Sequence, residues 1–375
     1  MVWLLLSVFN VICAFIAEKT YNNNKICCVF SLSLIVVCNT IILGFRDFGV
    51  GTDTLIYIDS YFQNAEKIHN IKDLFSDSFT DFDIAFLGLS YVSTLFSNDS
   101  QALLVCTEFF IIFFLVCGMY EYKKCLNCNL MWFMILFVLL YQRESVNLMR
   151  QYCAIALLFY GFTFFMKKKY IIFLVFQFIA YFFHSSSLIF LIIPIFYVIS
   201  NTDSEFKYLY AICYFLLIIL SLLSFHFILS SFSSMGFFKE IYASRYDELS
   251  DFASNSGFGV GRLRYIILLL IVYYVYNKKI MPANYVYMFV VLCVSNMLIE
   301  QLVYIAGVLM RTAYYIGIVS ILYMSSIFNN KIFEIKMLRR IYIIGLLIIA
   351  VNLYNQGKQT LTGGTYIYTS KILGI

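Results

Sequence analysis

Charge is scarce in this chain: 13% of its 375 residues are Asp, Glu, Lys or Arg, against 62% hydrophobic and only 2 Pro. So much apolar surface cannot be hidden in one water-soluble core, which excludes an ordinary soluble globular protein. Histidine is rarer still. The three, His69, His184 and His226, are scattered, and a zinc site built on Cys125-Leu126-Asn127-Cys128 would need two further ligands at similar spacing. No metal and no cofactor is expected, and no nucleic-acid partner. Most of the 11 Cys, such as Cys13, Cys38, Cys106, Cys117, Cys153, Cys213 and Cys293, fall inside apolar runs, where a thiol behaves as a small hydrophobe.

Apolar runs of spanning length recur from the first residues to near the C-terminus, so the chain reads as an all-α polytopic membrane protein, one integral domain over residues 1–375. Helices are the default because backbone polar groups in lipid must pair internally, and the runs are far longer than barrel strands. Val2 to Ala17 lacks the basic leader of a signal peptide and is read as the first helix. A bundle of about 12 spans is predicted, 13 if the short run Ile84 to Phe96 crosses rather than lying re-entrant or in the interface.

Short Lys-rich turns fix the cytoplasmic side by the positive-inside rule: Lys123-Lys124, Lys167-Lys168-Lys169, Lys278-Lys279 and the segment with Lys331, Lys336, Arg339 and Arg340. Counting from these places an outer loop at residues 46–83, with 3 basic residues against 8 acidic ones, and a long outer loop at 231–263. Of 26 basic residues, 14 fall inside, all Lys except Arg339 and Arg340; 12 fall outside, and 7 of those are Arg (Arg46, Arg143, Arg150, Arg245, Arg262, Arg264, Arg311). A guanidinium binds phosphate in a bidentate fork, so this outer face suits a phosphorylated ligand.

Three polar interruptions are denser than turns require. Arg46 closes an apolar run, and Gly49 and Gly51 let the backbone turn before Thr52-Asp53-Thr54 and Tyr57. Asp53 or Thr54 can cap the next helix, but capping does not explain an arginine at the membrane edge. Gln142-Arg143-Glu144 leads through Asn147 to Arg150-Gln151, which opens a helix whose N-terminal N–H groups already favour anions. His184 stands midway along Tyr170 to Ser200, long enough for two short helices turning at Ser185-Ser186-Ser187. A lone histidine at such a turn is more often structural than catalytic; its side of the membrane favours the second role.

Taken in order, Arg46 with Gly51-Thr52-Asp53-Thr54 and Tyr57, Asn147-x-x-Arg150-Gln151 before an apolar run and a Lys-rich turn, Phe183-His184-x-Ser186, and Arg311 before Tyr314-Tyr315 resemble the EpsG/Wzy-type polysaccharide polymerases. The charged Gln142-Arg143-Glu144 stretch and the tail Thr365 to Ile375 depart from that pattern. The resemblance implies a GT-C-like membrane glycosyltransferase joining repeat units of O-antigen, capsule or exopolysaccharide on the outer face of the bacterial cytoplasmic membrane. Its substrate would be an oligosaccharide on undecaprenyl diphosphate, and its partners membrane lipid and the chain-length regulator and flippase of the same pathway. Arg46, Arg150 with Gln151, and Arg311 would hold the diphosphate without a metal, and His184 would orient or deprotonate the acceptor hydroxyl, with Asp53 or Glu144 as rivals. A flippase should carry polar residues at mid-membrane depth and internal repeats, whereas these spans are nearly free of charge and show no repeat. A membrane O-acyltransferase would also use an outer His and Arg, and is separated by demonstrating acyl transfer.

The outer placement of residues 46–83 predicts that single cysteines at Ser60 and Ser76, in a cysteine-depleted chain, react with an impermeant maleimide in intact cells, the outer membrane being permeabilised where one exists. Labelling only after lysis would put the loop in the cytoplasm.

Overall fold

A peptide group in lipid has no water to bond, so a chain this apolar pairs its N–H and C=O groups within helices. The computed structural model describes residues 2–80, 82–202, 206–234, 270, 273, 274, 276, 277, 279, 282–300, 311–328, 351 and 368–374. Among them the regular elements are α1 (Val2–Thr20), α2 (Lys25–Gly44), α3 (Thr52–Ala65), α4 (Ile84–Thr94), α5 (Gln101–Leu126), α6 (Leu130–Leu140), α7 (Gln142–Asn147), α8 (Met149–Met166), α9 (Tyr170–Phe183), α10 (Ile192–Ser200), α11 (Lys207–Ser234), α12 (Ala283–Glu300) and α13 (Ala313–Phe328). Tight 3-10 turns run over Ile71–Phe75, Asp77–Phe79 and Ser185–Leu191. No strand occurs among the described residues.

Four helices, α1, α2, α5 and α12, are long and apolar enough to cross a bilayer by length and composition. Shorter apolar helices, α4, α6 and α9 among them, accompany these, and the molecule is a helical membrane protein. The count of 12 or 13 spans draws on segments outside the described residues, as do Arg245, Arg262, Arg264 and the basic segment 331–340. Residues 231–234 end α11, and the rest of the 231–263 loop lies outside the described residues. The 46–83 segment contains α3 and two 3-10 turns, and the charged turn after Tyr141 is the short helix α7, with Gln142, Ser145 and Val146 buried. The break expected at Ser185-Ser186-Ser187 is a 3-10 turn between α9 and α10.

The chain forms two compact units: one of Met1–Leu188, Met324–Asn329 and Ala350–Ile375, the other of Ile189–Tyr323 and Asn330–Ile349. In the first, α8 is buried on nearly every face from Met149 to Thr163, as a helix apolar all round must be. It packs between α5 and α9; α2 lies on α5, α1 on α2 and α6, α3 on α4 and α5, and α4 on α9. Gly118 allows the close approach of α5 to α8, since a Cβ there would stand 2.6 Å from the Phe159 ring. Tyr122 then donates its hydroxyl to the Phe159 carbonyl at 2.6 Å.

A polar ladder ties α1, α2 and α7. The Asn10 and Asn39 side-chain amides exchange hydrogen bonds of 3.1 and 2.7 Å, and Gln142 donates to Asn39 Oδ1 at 3.3 Å. All three side chains are buried and bonded, as lipid requires of them. The ends of α8 differ in chemistry. Arg150 lies in its first turn, and Lys167 follows its end about 26 Å further along the axis. At the lysine end, Glu121 pairs with Lys167 at 2.5 Å and Lys124 at 2.6 Å, and buried Lys123 pairs with Glu18 at 2.7 Å.

In the second unit α12 packs against α10 and α11. An apolar cavity of about 540 Å³ is lined there by Tyr208, Phe215, Tyr273, Tyr276, Val286 and Tyr287 among others.

Candidate functional site

The first unit carries two arginines from the predicted set, in opposite situations. Arg46 follows the end of α2, and its side chain is 0% exposed. All five guanidinium N–H groups are spent on protein: Nε on the Val50 carbonyl at 3.2 Å, Nη1 on the Leu43 carbonyl at 2.5 Å and Glu108 Oε1 at 2.6 Å, Nη2 on Thr54 Oγ1 at 3.3 Å and the Val146 carbonyl at 2.9 Å. One buried cation therefore gathers the end of α2, the turn before α3, the N-terminal third of α5 and the end of α7. No N–H of Arg46 is left for a diphosphate in this arrangement.

The clasp shapes the turn that follows. Gly51 sits at φ 105°, a conformation that disfavours any residue with a Cβ, and an added Cβ would stand 3.0 Å from Thr54 Oγ1. From α7, Asn147 Oδ1 accepts from the Thr52 N–H at 2.9 Å, the Thr52 hydroxyl at 3.0 Å and the Asp53 N–H at 3.4 Å, so α3 is capped by a side chain from another helix. The Arg46–Thr54 and Asn147–Arg150 motifs are thus one constellation.

Arg150, three residues after Asn147, keeps 20% of its side chain exposed. Its Nη1 donates to Asp83 Oδ2 at 2.6 Å and to the Tyr61 hydroxyl at 3.2 Å, and the guanidinium lies 3.9 Å from the centre of the Tyr57 ring. The Tyr61 hydroxyl also accepts from the Asp83 N–H at 3.0 Å. Asp83 Oδ2 is thereby held, and the Nε and Nη2 groups of Arg150 make no hydrogen bond among the described residues. Burial raises the Asp83 carboxyl above its ordinary pKa, opposed by the charge and hydrogen bond of Arg150 and by the Tyr61 hydroxyl. The result is a guanidinium with one edge on a carboxylate, one face on an aromatic ring and the other edge open, suited to a phosphate fork beside a sugar ring.

The other expected residues are distributed around this. Asp53 occupies the first turn of α3, and Glu144 pairs with its neighbour Arg143 at 3.4 Å. Gln151 is buried. His184 caps the end of α9, its N–H on the Ala180 carbonyl at 3.0 Å and its Nδ1 2.6 Å from Ser186 Oγ. The short Lys167–Lys169 turn makes α9 antiparallel to α8, which returns His184 to the end of the unit that bears Arg150. Arg311 belongs to the second unit and precedes α13, its carbonyl accepting from the Tyr314 N–H at 3.2 Å.

Glu108, Asp83 and Tyr61 were not singled out from sequence. Glu108 offered a signal, as the one charge in the apolar run from Ala102 to Tyr120. The tail also has a place: the Tyr368 hydroxyl donates to the Ile42 carbonyl, the Ser370 hydroxyl to the Phe45 carbonyl, the Asp47 N–H to the Thr369 carbonyl at 2.9 Å, and the Lys371 N–H to Asp47 Oδ1 at 2.9 Å. It brackets the backbone on both sides of Arg46.

These features define a helical membrane protein with a partly exposed arginine–carboxylate–tyrosine site. The sequence model of the EpsG family matches residues 26–370, and the chain belongs to that family. No curated protein matches it, and no solved structure does.

A buried ion pair stripped of one partner leaves an uncompensated charge, so Glu108→Ala and Arg46→Ala should each destabilise the first unit by about 3–5 kcal/mol. Thermal unfolding of purified protein in detergent measures this; a wild-type melting temperature for Arg46→Ala would contradict the clasp.

Proposed function

We propose that this chain is a repeat-unit polymerase: a glycosyltransferase that joins oligosaccharides carried on undecaprenyl diphosphate into O-antigen, capsular polysaccharide or exopolysaccharide at the outer face of the cytoplasmic membrane. Membership of the EpsG family supports the reading. The observation that carries it at the site is the open Nε/Nη2 edge of Arg150 beside the Tyr57 ring. Leaving-group charge is stabilised by a positioned fork donor, which Arg150 supplies, and an aromatic face beside it fits a sugar. Arginine then carries the diphosphate where other transferases use a metal.

Arg46 takes a positioning role, holding the turn into α3 and the end of α7 so that Asn147 and Arg150 present themselves correctly. His184, paired with Ser186, and Asp53 in the first turn of α3 are the residues proposed to orient sugar hydroxyls. Arg311, before α13, is proposed to bind a lipid-linked diphosphate. The aromatic cavity of that unit has the chemistry of an isoprenoid or acyl chain. Against a flippase stands the state of the intramembrane polar groups: Asn10, Asn39 and Gln142 bond one another instead of lining an open path.

Polymerisation and translocation are successive steps on one carrier. A strain lacking this protein should still flip single units, which accumulate on the outer side and, where a ligase exists, appear as lipid A-core bearing one unit. A strain that retains its flippase and ligase yet shows no externally accessible single unit would overturn the polymerase reading.

A further inference from the structure

Glycosyl transfer needs a group to take the acceptor's proton as well as a group to hold the leaving diphosphate, and the two must be fixed relative to one another. Asp83 meets this requirement by geometry. It precedes α4 as its N-terminal flanking residue, and its side chain is 29% exposed. Its backbone N–H is tied to the Tyr61 hydroxyl at 3.0 Å and its Oδ2 to Arg150 at 2.6 Å, so the carboxylate cannot swing away. Among the described residues, the charged and titratable groups facing it are Arg150 from α8 and Tyr61 from α3.

We infer that Asp83 is the catalytic base, a deepening that rests on the polymerase reading: Arg150 holds the base on its Nη1 edge and the leaving diphosphate on its Nε/Nη2 edge. In the reaction the acceptor hydroxyl oxygen forms the new bond to the anomeric carbon while the bond from that carbon to the diphosphate oxygen breaks. The bonding pair departs with the diphosphate, and the hydroxyl proton passes to the Asp83 carboxylate. One planar guanidinium thus sets the distance between proton acceptor and leaving group. Partial burial keeps the carboxylate basic, and the Tyr61 ring that holds it is itself packed edge to face on Phe82 and Phe86, at 4.8 and 5.0 Å. This places the base on a residue other than His184, Asp53 or Glu144.

The test uses the full-length protein in lipid nanodiscs with a lipid-linked repeat unit, comparing wild type, Asp83→Asn, Asp83→Glu and Arg150→Ala in polymerisation rate, pH profile and binding of undecaprenyl diphosphate. Asp83→Asn should lose kcat by about 10²-fold or more. It should bind undecaprenyl diphosphate as tightly as wild type or tighter, because an anion beside the phosphate has been removed, whereas Arg150→Ala should bind it poorly. Wild-type kcat/KM should fall on the acid side with a midpoint above the usual carboxylate range. That limb should be absent from the residual activity of Asp83→Asn and present in Asp83→Glu, which retains a carboxylate should the amide fail to fold.

Wild-type protein that makes no polymer would sink the polymerase reading and the base assignment with it. Wild-type protein that polymerises would overturn the base assignment alone under any of three results: kcat of Asp83→Asn within about threefold of wild type, loss of diphosphate binding in that variant matching Arg150→Ala, or an acid limb unchanged by the substitution.

Discussion

The pairing of Arg46 with Glu108 is the constraint on which the rest of the first unit depends. Each charge would be ruinous alone in a dry interior, and together they are tolerable only with every remaining N–H satisfied. That demand is strong because guanidinium has five donors in a fixed plane. The carbonyls of Leu43, Val50 and Val146 must converge on it, with Thr54 Oγ1 closing the set. The chain from the end of α2 to the start of α3 meets that arrangement with Gly51 at φ 105°, a conformation that favours glycine. The tail brackets the same backbone from outside through Tyr368 and Ser370.

Once α7 is anchored through the Val146 carbonyl, Asn147 is placed to cap α3, and Arg150 emerges one turn later on the same face. Here the same residue type does the opposite job. Arg46 is saturated and shielded; Arg150 has one edge committed, one face stacked on Tyr57, and the other edge open. Fixing the committed edge limits the rotamers of a long side chain, so less entropy is lost when a phosphate arrives. The buried clasp supplies rigidity and the exposed arginine supplies chemistry, and three sequence positions separate the residue that links them from the residue that acts.

Much of this was legible in the sequence, for physical reasons. Composition dictates a helical membrane protein because only internally paired backbones survive in lipid. Arg150 stands in the first turn of α8 and Lys167 just past its end, as the polar interruptions on either side of an apolar run suggest. Arg150-Gln151 could be read as a helix start because an apolar run of spanning character follows it directly. Partners distant along the chain could not be read. Glu108 lies 62 positions from Arg46, and nothing in its own apolar run points to that partner. Arg46 consequently looked like a ligand group. Asp83 entered only a charge count, because nothing local distinguishes it from the other acids of its loop; its meaning comes from α8, 67 positions away. The tail, more than 320 positions from its partners, carries no local pattern that announces docking.

The most direct test of the account is polymer formation by purified Arg150→Lys protein, with its melting temperature measured in the same preparation. Lysine keeps the charge and loses both the planar fork and the second edge. The account predicts a variant that melts like wild type, because Arg150 is not the clasp, and that polymerises slower by about 10²-fold or more. Wild-type polymer yield from the lysine variant would contradict it, reducing Arg150 to a generic interfacial cation and leaving the open guanidinium edge without a function.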